Sequence, residues 1–145
     1  MSQPFLDLTL IVARLTDQAP ILKRTAEAMD IATAMNDLKA AVPAAYILPL
    51  RDPASPNALA NAVSQSVTST FGVLLAVKNL RDATGEKARS ELTPLRSDVC
   101  DALLNWQPGA DYTPCEFGGG RLMQMTDRVL WWLDEYRTSF EVRKT

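Results

Sequence analysis

The stretch from Val63 to Val77 constrains the fold most. It reads Val-Ser-Gln-Ser-Val-Thr-Ser-Thr-Phe-Gly-Val-Leu-Leu-Ala-Val. Taken every second residue, Val63, Gln65, Val67, Ser69, Phe71, Val73, Leu75 and Val77 share one side. Ser64, Ser66, Thr68, Thr70, Gly72, Leu74 and Ala76 share the other. This is the period of a β-strand with one mostly apolar face, and its Val and Thr residues favour extended backbone. A continuous strand of this length runs about 45–50 Å at roughly 3.3 Å per residue. A compact chain of 145 residues has a radius of gyration near ~15 Å. Either the strand bends at Gly72, or its polar first half reaches beyond the core toward a partner. A competing reading makes Asn57 to Ser66 a short helix capped by Asn57, with Leu59, Ala62 and Val63 on one face. The sequence leaves both readings open.

The chain length suits one domain spanning residues 1–145, and its 47% hydrophobic content supplies a core. A net charge of -2 gives no electrostatic reason to expect nucleic acid or an anionic membrane as the main partner. No apolar run is long enough to span a bilayer. The first twenty residues carry neither a basic n-region nor an apolar h-region, so no secretory signal is expected. The expectation for Cys100 and Cys115, the two cysteines, is therefore a pair of free thiols in a reducing compartment.

Along the chain, Pro4 to Leu15 reads as a helix with Phe5, Leu8, Ile11, Val12 and Leu15 in a stripe. Ile21 to Met29 reads as an edge strand. Asp30 caps a second helix, Ile31 to Ala41, with Ile31, Ala34, Met35 and Leu38 inward. Ala44 to Leu50 is a short buried strand, limited by Pro49. Arg51 to Pro56 is a loop, and the long strand follows. After a loop from Asn79 to Gly85, a third helix runs from Glu86 to Trp106. Its inward residues are Leu92, Leu95, Val99, Ala102, Leu103 and Trp106, and Pro94 either kinks it or marks a second start. Gln107 to Glu116 is a polar loop. Phe117 to Lys144 forms a hairpin, with Gly118 to Gly120 opening its first strand and Asp127-Arg128 at its turn. From Asp134 onward Tyr136, Thr138, Phe140 and Val142 alternate with charged and polar residues, as in a strand with one wet face. The order α-β-α-β-β-α-β-β predicts an α+β fold. Two or three helices pack on a mainly antiparallel sheet of four to five strands.

Chemistry is sparse. The chain has no histidine, which removes the commonest general base and most zinc sites. Asp134 and Glu135 are adjacent, so on a strand they point apart and make no carboxylate pair. Cys100 and Cys115 lack an activating neighbour. The triple glycine lacks the Walker lysine and the spacing of a phosphate loop, and a β-bulge or close backbone approach explains it better. Trp131 and Trp132 face opposite ways on a strand, one toward the core and one outward, which fits either packing or a protein interface. No catalytic, cofactor-binding or metal-binding residue is expected.

Several extended patterns carry a resemblance. They are Tyr-Ile-Leu-Pro-Leu-Arg from Tyr46, Ser-Pro-Asn from Ser55 and Val-Thr-Ser-Thr-Phe-Gly-Val-Leu-Leu-Ala-Val-Lys-Asn from Val67. Glu-Leu-Thr-Pro-Leu-Arg, Leu-Leu-Asn-Trp-Gln-Pro, Phe-Gly-Gly-Gly-Arg-Leu and Val-Leu-Trp-Trp-Leu-Asp-Glu-Tyr complete the set. Together they resemble the tail-terminator (tail-completion, minor tail) proteins of tailed bacteriophages. The resemblance implies a structural virion protein and no enzyme. It implies a homohexameric ring, assembled in the host cytoplasm, at the head-proximal end of the tail. The ring caps the tail tube, ends its polymerisation and joins it to the head-tail connector. Its partners are further copies of itself, the tube protein and the connector or stopper protein. DNA only passes through the lumen, and no cofactor or membrane takes part. Two alternatives stay open: another head-tail joining (stopper or neck) protein, and a small α+β binding domain or enzyme. The resemblance carries over no interface residues. From the strand and loop pattern, the expected protein interface comprises Arg51, Asp52, Gln65, Ser66, Thr68, Gly118, Gly119 and Arg121.

Overall fold

A computed structural model describes residues 2–37, 41–79, 84, 86–126 and 128–145. The elements are α1 (Thr9–Gln18), β1 (Arg24–Glu27), α2 (Ile31–Asp37), β2 (Ala44–Arg51), β3 (Val63–Lys78), α3 (Glu86–Leu103), β4 (Glu116–Met125) and β5 (Val129–Lys144). The order is the predicted one, and the fold is α+β. The five strands form a sheet in the order β1-β2-β3-β5-β4. Every neighbouring pair is antiparallel except β1 with β2.

The long strand is continuous. All sixteen residues of β3 pair with β5, from Val63↔Lys144 to Lys78↔Val129. The helical reading of Asn57 to Ser66 is therefore wrong. Asn57 instead folds the preceding loop around its side chain. Its Nδ2 donates to the carbonyls of Leu59 and Ala62, and its Oδ1 accepts from the Leu59 and Ser64 N–H groups. No bend is needed at Gly72. A Cβ there would come within 2.8 Å of Leu133 Cδ1 and 3.4 Å of Leu50 Cδ1, so glycine lets these leucines close over the strand.

The two faces of the sheet are covered differently. On one face α1 and α3 bury Ala45, Ile47, Phe71, Val73, Leu75, Val77, Leu130 and Tyr136 under Ile11, Leu15, Leu92, Leu95 and Val99. On the other, Ala34 of α2, with Ile31 and Met35, packs over Tyr46, Leu48, Leu74, Ala76, Trp131 and Leu133. Because both faces are dry here, β2 and the second half of β3 read as near-continuous apolar runs.

Several boundaries differ from expectation. The first helix begins at Thr9 rather than Pro4, because Asp7 Oδ1 accepts the Thr9 N–H at 3.0 Å and opens the helix there. The second is capped by Asp30, whose Oδ1 accepts the Thr33 N–H at 2.7 Å, as expected. That helix is described to Asp37, and Leu38 lies outside the described residues. The third runs unbroken through Pro94 and stops at Leu103 rather than Trp106. Asn105 takes a positive φ of 64° beyond that end, a conformation asparagine tolerates. The edge strand is shorter than predicted, Arg24–Glu27. Asp127 of the predicted turn lies outside the described residues, while the Thr126 N–H donates to the Val129 carbonyl across it.

Candidate functional site

Two outward regions flank β5. The first is a finger built from the polar half of β3, the C-terminal half of β5 and the segment 53–55. Alternation places Ser64, Ser66 and Thr68 on the face of β3 opposite the helices, next to Ser139, Glu141 and Arg143 of β5. Thr68 Oγ1 lies 3.3 Å from Ser139 Oγ, and Ser64 Oγ donates to Glu141 Oε2. The free side of β3 is closed by the loop. The Ser55 N–H donates to the Ser66 carbonyl and the Thr68 N–H to the Pro53 carbonyl, both at 2.9 Å. Gln65 Nε2 reaches the Ser55 carbonyl at 2.9 Å. Arg51 ends β2 with its guanidinium 3.5 Å from Glu135 Oε1, and Asp52 follows it, exposed. Arg51, Asp52, Gln65, Ser66 and Thr68 thus lie together on this side.

The second region is β4, an edge strand. Gly118, Gly119 and Arg121 lie here, separated from the first group by β5. The ladder slips between Phe117 and Gly119 and again between Leu122 and Gln124. Gly119 sits at the first slip with φ +121° and open space around it. This is the β-bulge the triple glycine predicted. Gly120 has a different task. A Cβ on it would collide with Asp134 Oδ1 and come within 2.8 Å of Trp132 Nε1.

That contact belongs to a polar cluster beneath β4. Asp134 is buried and forms a bidentate pair with Arg96 of α3, with both N···O distances 2.9 Å. Trp132 Nε1–H donates to Asp134 Oδ1 at 2.8 Å, and the Arg96 guanidinium lies 4.5 Å from the Trp132 ring centre. The Asp134 carboxylate raises the Arg96 pKa above its ordinary value, chiefly by hydrogen bonding. A carboxylate with its acceptor sites filled and its charge paired is a structural lock. The tryptophan pair differs from expectation in the same place. Trp131 is buried on the α2 face and Trp132 is half-buried on the other, so neither is simply outward.

Among the described residues no three acidic or cysteine side chains gather to hold a metal ion. Cys100 and Cys115 are free thiols. Cys115 is part of the core despite its position in a polar stretch, and burial pushes its thiol up to about 12, far from a nucleophilic thiolate at neutral pH. No described helix is long and apolar enough to cross a membrane.

Against known proteins, the chain matches the family model described as phage tail terminator protein over residues 1–145. The chain belongs to the phage tail terminator family. It is a structural component of a phage tail and associates with other tail components. No curated protein matches it.

Sequence reasoning missed Gln3 and Thr113, which close the outer edge of β5 within the finger on either side of Glu141. The Thr113 N–H donates to the Ser139 carbonyl, and the Ser139 N–H donates to Thr113 Oγ1, each at 2.9 Å. Gln3 Nε2 donates to the Arg143 carbonyl at 2.9 Å, and the Arg143 N–H donates to Gln3 Oε1 at 3.0 Å. A side chain standing in for a strand leaves no periodic signal in the sequence.

Proposed function

We propose that this terminator assembles into a six-fold ring at the head-proximal end of the tail. The ring caps the tube, ends its polymerisation and presents a face to the head-tail connector. DNA passes through the lumen unread, and the subunit, one domain over its whole length, acts without catalysis. Family membership supports this reading. One observation carries it: each subunit offers two different outward regions, the finger and the β4 edge, on opposite sides of β5. A head-to-tail ring needs two non-identical surfaces that meet by rotation. Arg51, Asp52, Gln65, Ser66 and Thr68 belong to one contact, and Gly118, Gly119 and Arg121 to the other.

Deleting the gene in the phage tests this. The expected result is overlong or headless tails in stained images. Normal-length tails beside filled heads that leak DNA would instead assign the protein to the neck.

A further inference from the structure

The outer edge of β5 in the finger is closed by imitation. Ser139 and Arg143 turn their N–H and C=O groups away from β3. Thr113 meets Ser139 with its Oγ1 and its own N–H, and Gln3 meets Arg143 with side-chain atoms alone. Strand alternation turns the N–H and C=O of Glu141, between them, toward the same edge. Among the described residues nothing pairs with these two groups. Gln3 also stands between two grooves along this edge. One, of about 670 Å³, includes Asp111 and Glu141. The other, of about 750 Å³, includes Val63 and Lys144. Gln3 and Arg143 line both, so the two grooves meet at the Gln3–Arg143 contact beside an unfilled strand edge.

We infer that this strand edge receives the β4 edge of a second copy, with Gln3 as a displaceable placeholder. The inference rests on the ring reading above and narrows the finger's part of the contact to the outer edge of β5, the side on which β4 also lies. Three observations select β4 as the occupant. It is a ten-residue edge strand with no proline, and nothing among the described residues covers its outer side. Long bare edges invite pairing. Its charges also fit. Antiparallel to β5 and entering only as far as Thr113, a neighbour's β4 would bring Glu116, which lies 3.4 Å from Arg137 in its own chain, toward Lys144 and Arg121 toward Asp111. Among the described residues Lys144, Arg121 and Asp111 have no oppositely charged partner. Finally, the contact joins two different edges of one chain, so it repeats head to tail and can close. The sheet would then continue from one subunit to the next.

The test uses full-length protein added to polymerised tubes of its co-encoded tube protein. In a variant carrying both Glu116→Cys and Lys144→Cys, mild oxidation on the tubes should give a ladder of covalent multimers. Either substitution alone should give none. Covalent dimers without higher species would mean a self-complementary contact and would overturn the inference. Capped tubes in micrographs without any ladder would overturn it too, while leaving the ring reading intact. Absence of caps on tubes treated with unaltered protein would sink the ring reading and this contact with it. Gln3→Ala, which frees the edge, should lower the concentration needed for capping by about fivefold, since its two hydrogen bonds to Arg143 no longer compete. An unchanged or raised concentration would remove Gln3 from its role.

Discussion

The two halves of the β3–β5 ladder share one backbone and differ in everything else. From Phe71↔Tyr136 to Val77↔Leu130 the ladder lies between largely apolar layers on both faces, with the Asp134–Arg96 pair set into one of them. From Val63↔Lys144 to Thr68↔Ser139 one face is a run of hydroxyl and charged side chains. The other face there carries Val67 and Phe140, both buried. Phe5 and Tyr112 meet the Phe140 ring edge-on at 5.4 and 5.8 Å. Main-chain pairing along sixteen positions holds both halves, so strand length here follows from the partner strand and not from burial. The half that carries little of the core is free to carry a contact.

Substitutions can break this contrast, beginning in the core. Phe71→Ala removes a fully buried ring that stacks on Tyr136 at 6.0 Å. It should cost about 3–5 kcal/mol in urea denaturation. A cost near that of a finger substitution would mean that the two halves are equally important to the core. Asp134→Ala strands Arg96 and the Trp132 N–H. We expect a loss of about 2–3 kcal/mol, below the usual range for a broken buried pair because Arg96 is about a third exposed. Gly120→Ala pushes on the same cluster and should cost about 1–3 kcal/mol in thermal unfolding. In the finger, Ser66→Arg should change stability by no more than about 0.5 kcal/mol yet abolish capping of tubes. Normal capping by this variant would remove Ser66 from the interface. Gly119 is a poorer probe of assembly, since any side chain at its positive φ adds strain of its own. The smallest effect concerns reactivity. Cys115, with its thiol raised to about 12 by burial, should stay unmodified by iodoacetamide at pH 8 until the protein unfolds, as read by mass spectrometry.

Much of the fold was legible because its signals are local. Period-2 alternation marked β3 and β5, Asp30 announced α2, and the apolar stripe from Leu92 to Leu103 marked α3. The arm before α1 carries a helical pattern yet is not helix, since its geometry depends on Asp7 and on a distant partner for Gln3. Among the candidate interface residues, the glycine bulge was readable from composition. The loop that closes the far side of β3 was not, because Ser55 and Pro53 reach Ser66 and Thr68 only after the chain has turned back.

By itself the sequence determined the element order, the α+β class, the family pattern and the absence of histidine chemistry. Those follow from residue types and short-range spacing. Tertiary structure alone decided what surrounds the long strand. It placed β5 along its whole length, joined Asp134 to Arg96 across 38 positions, and left an edge at Glu141 next to Arg143, which Gln3 meets from 140 residues away. Hydrogen bonds between such distant residues are chosen by the folded topology, and no local pattern encodes them.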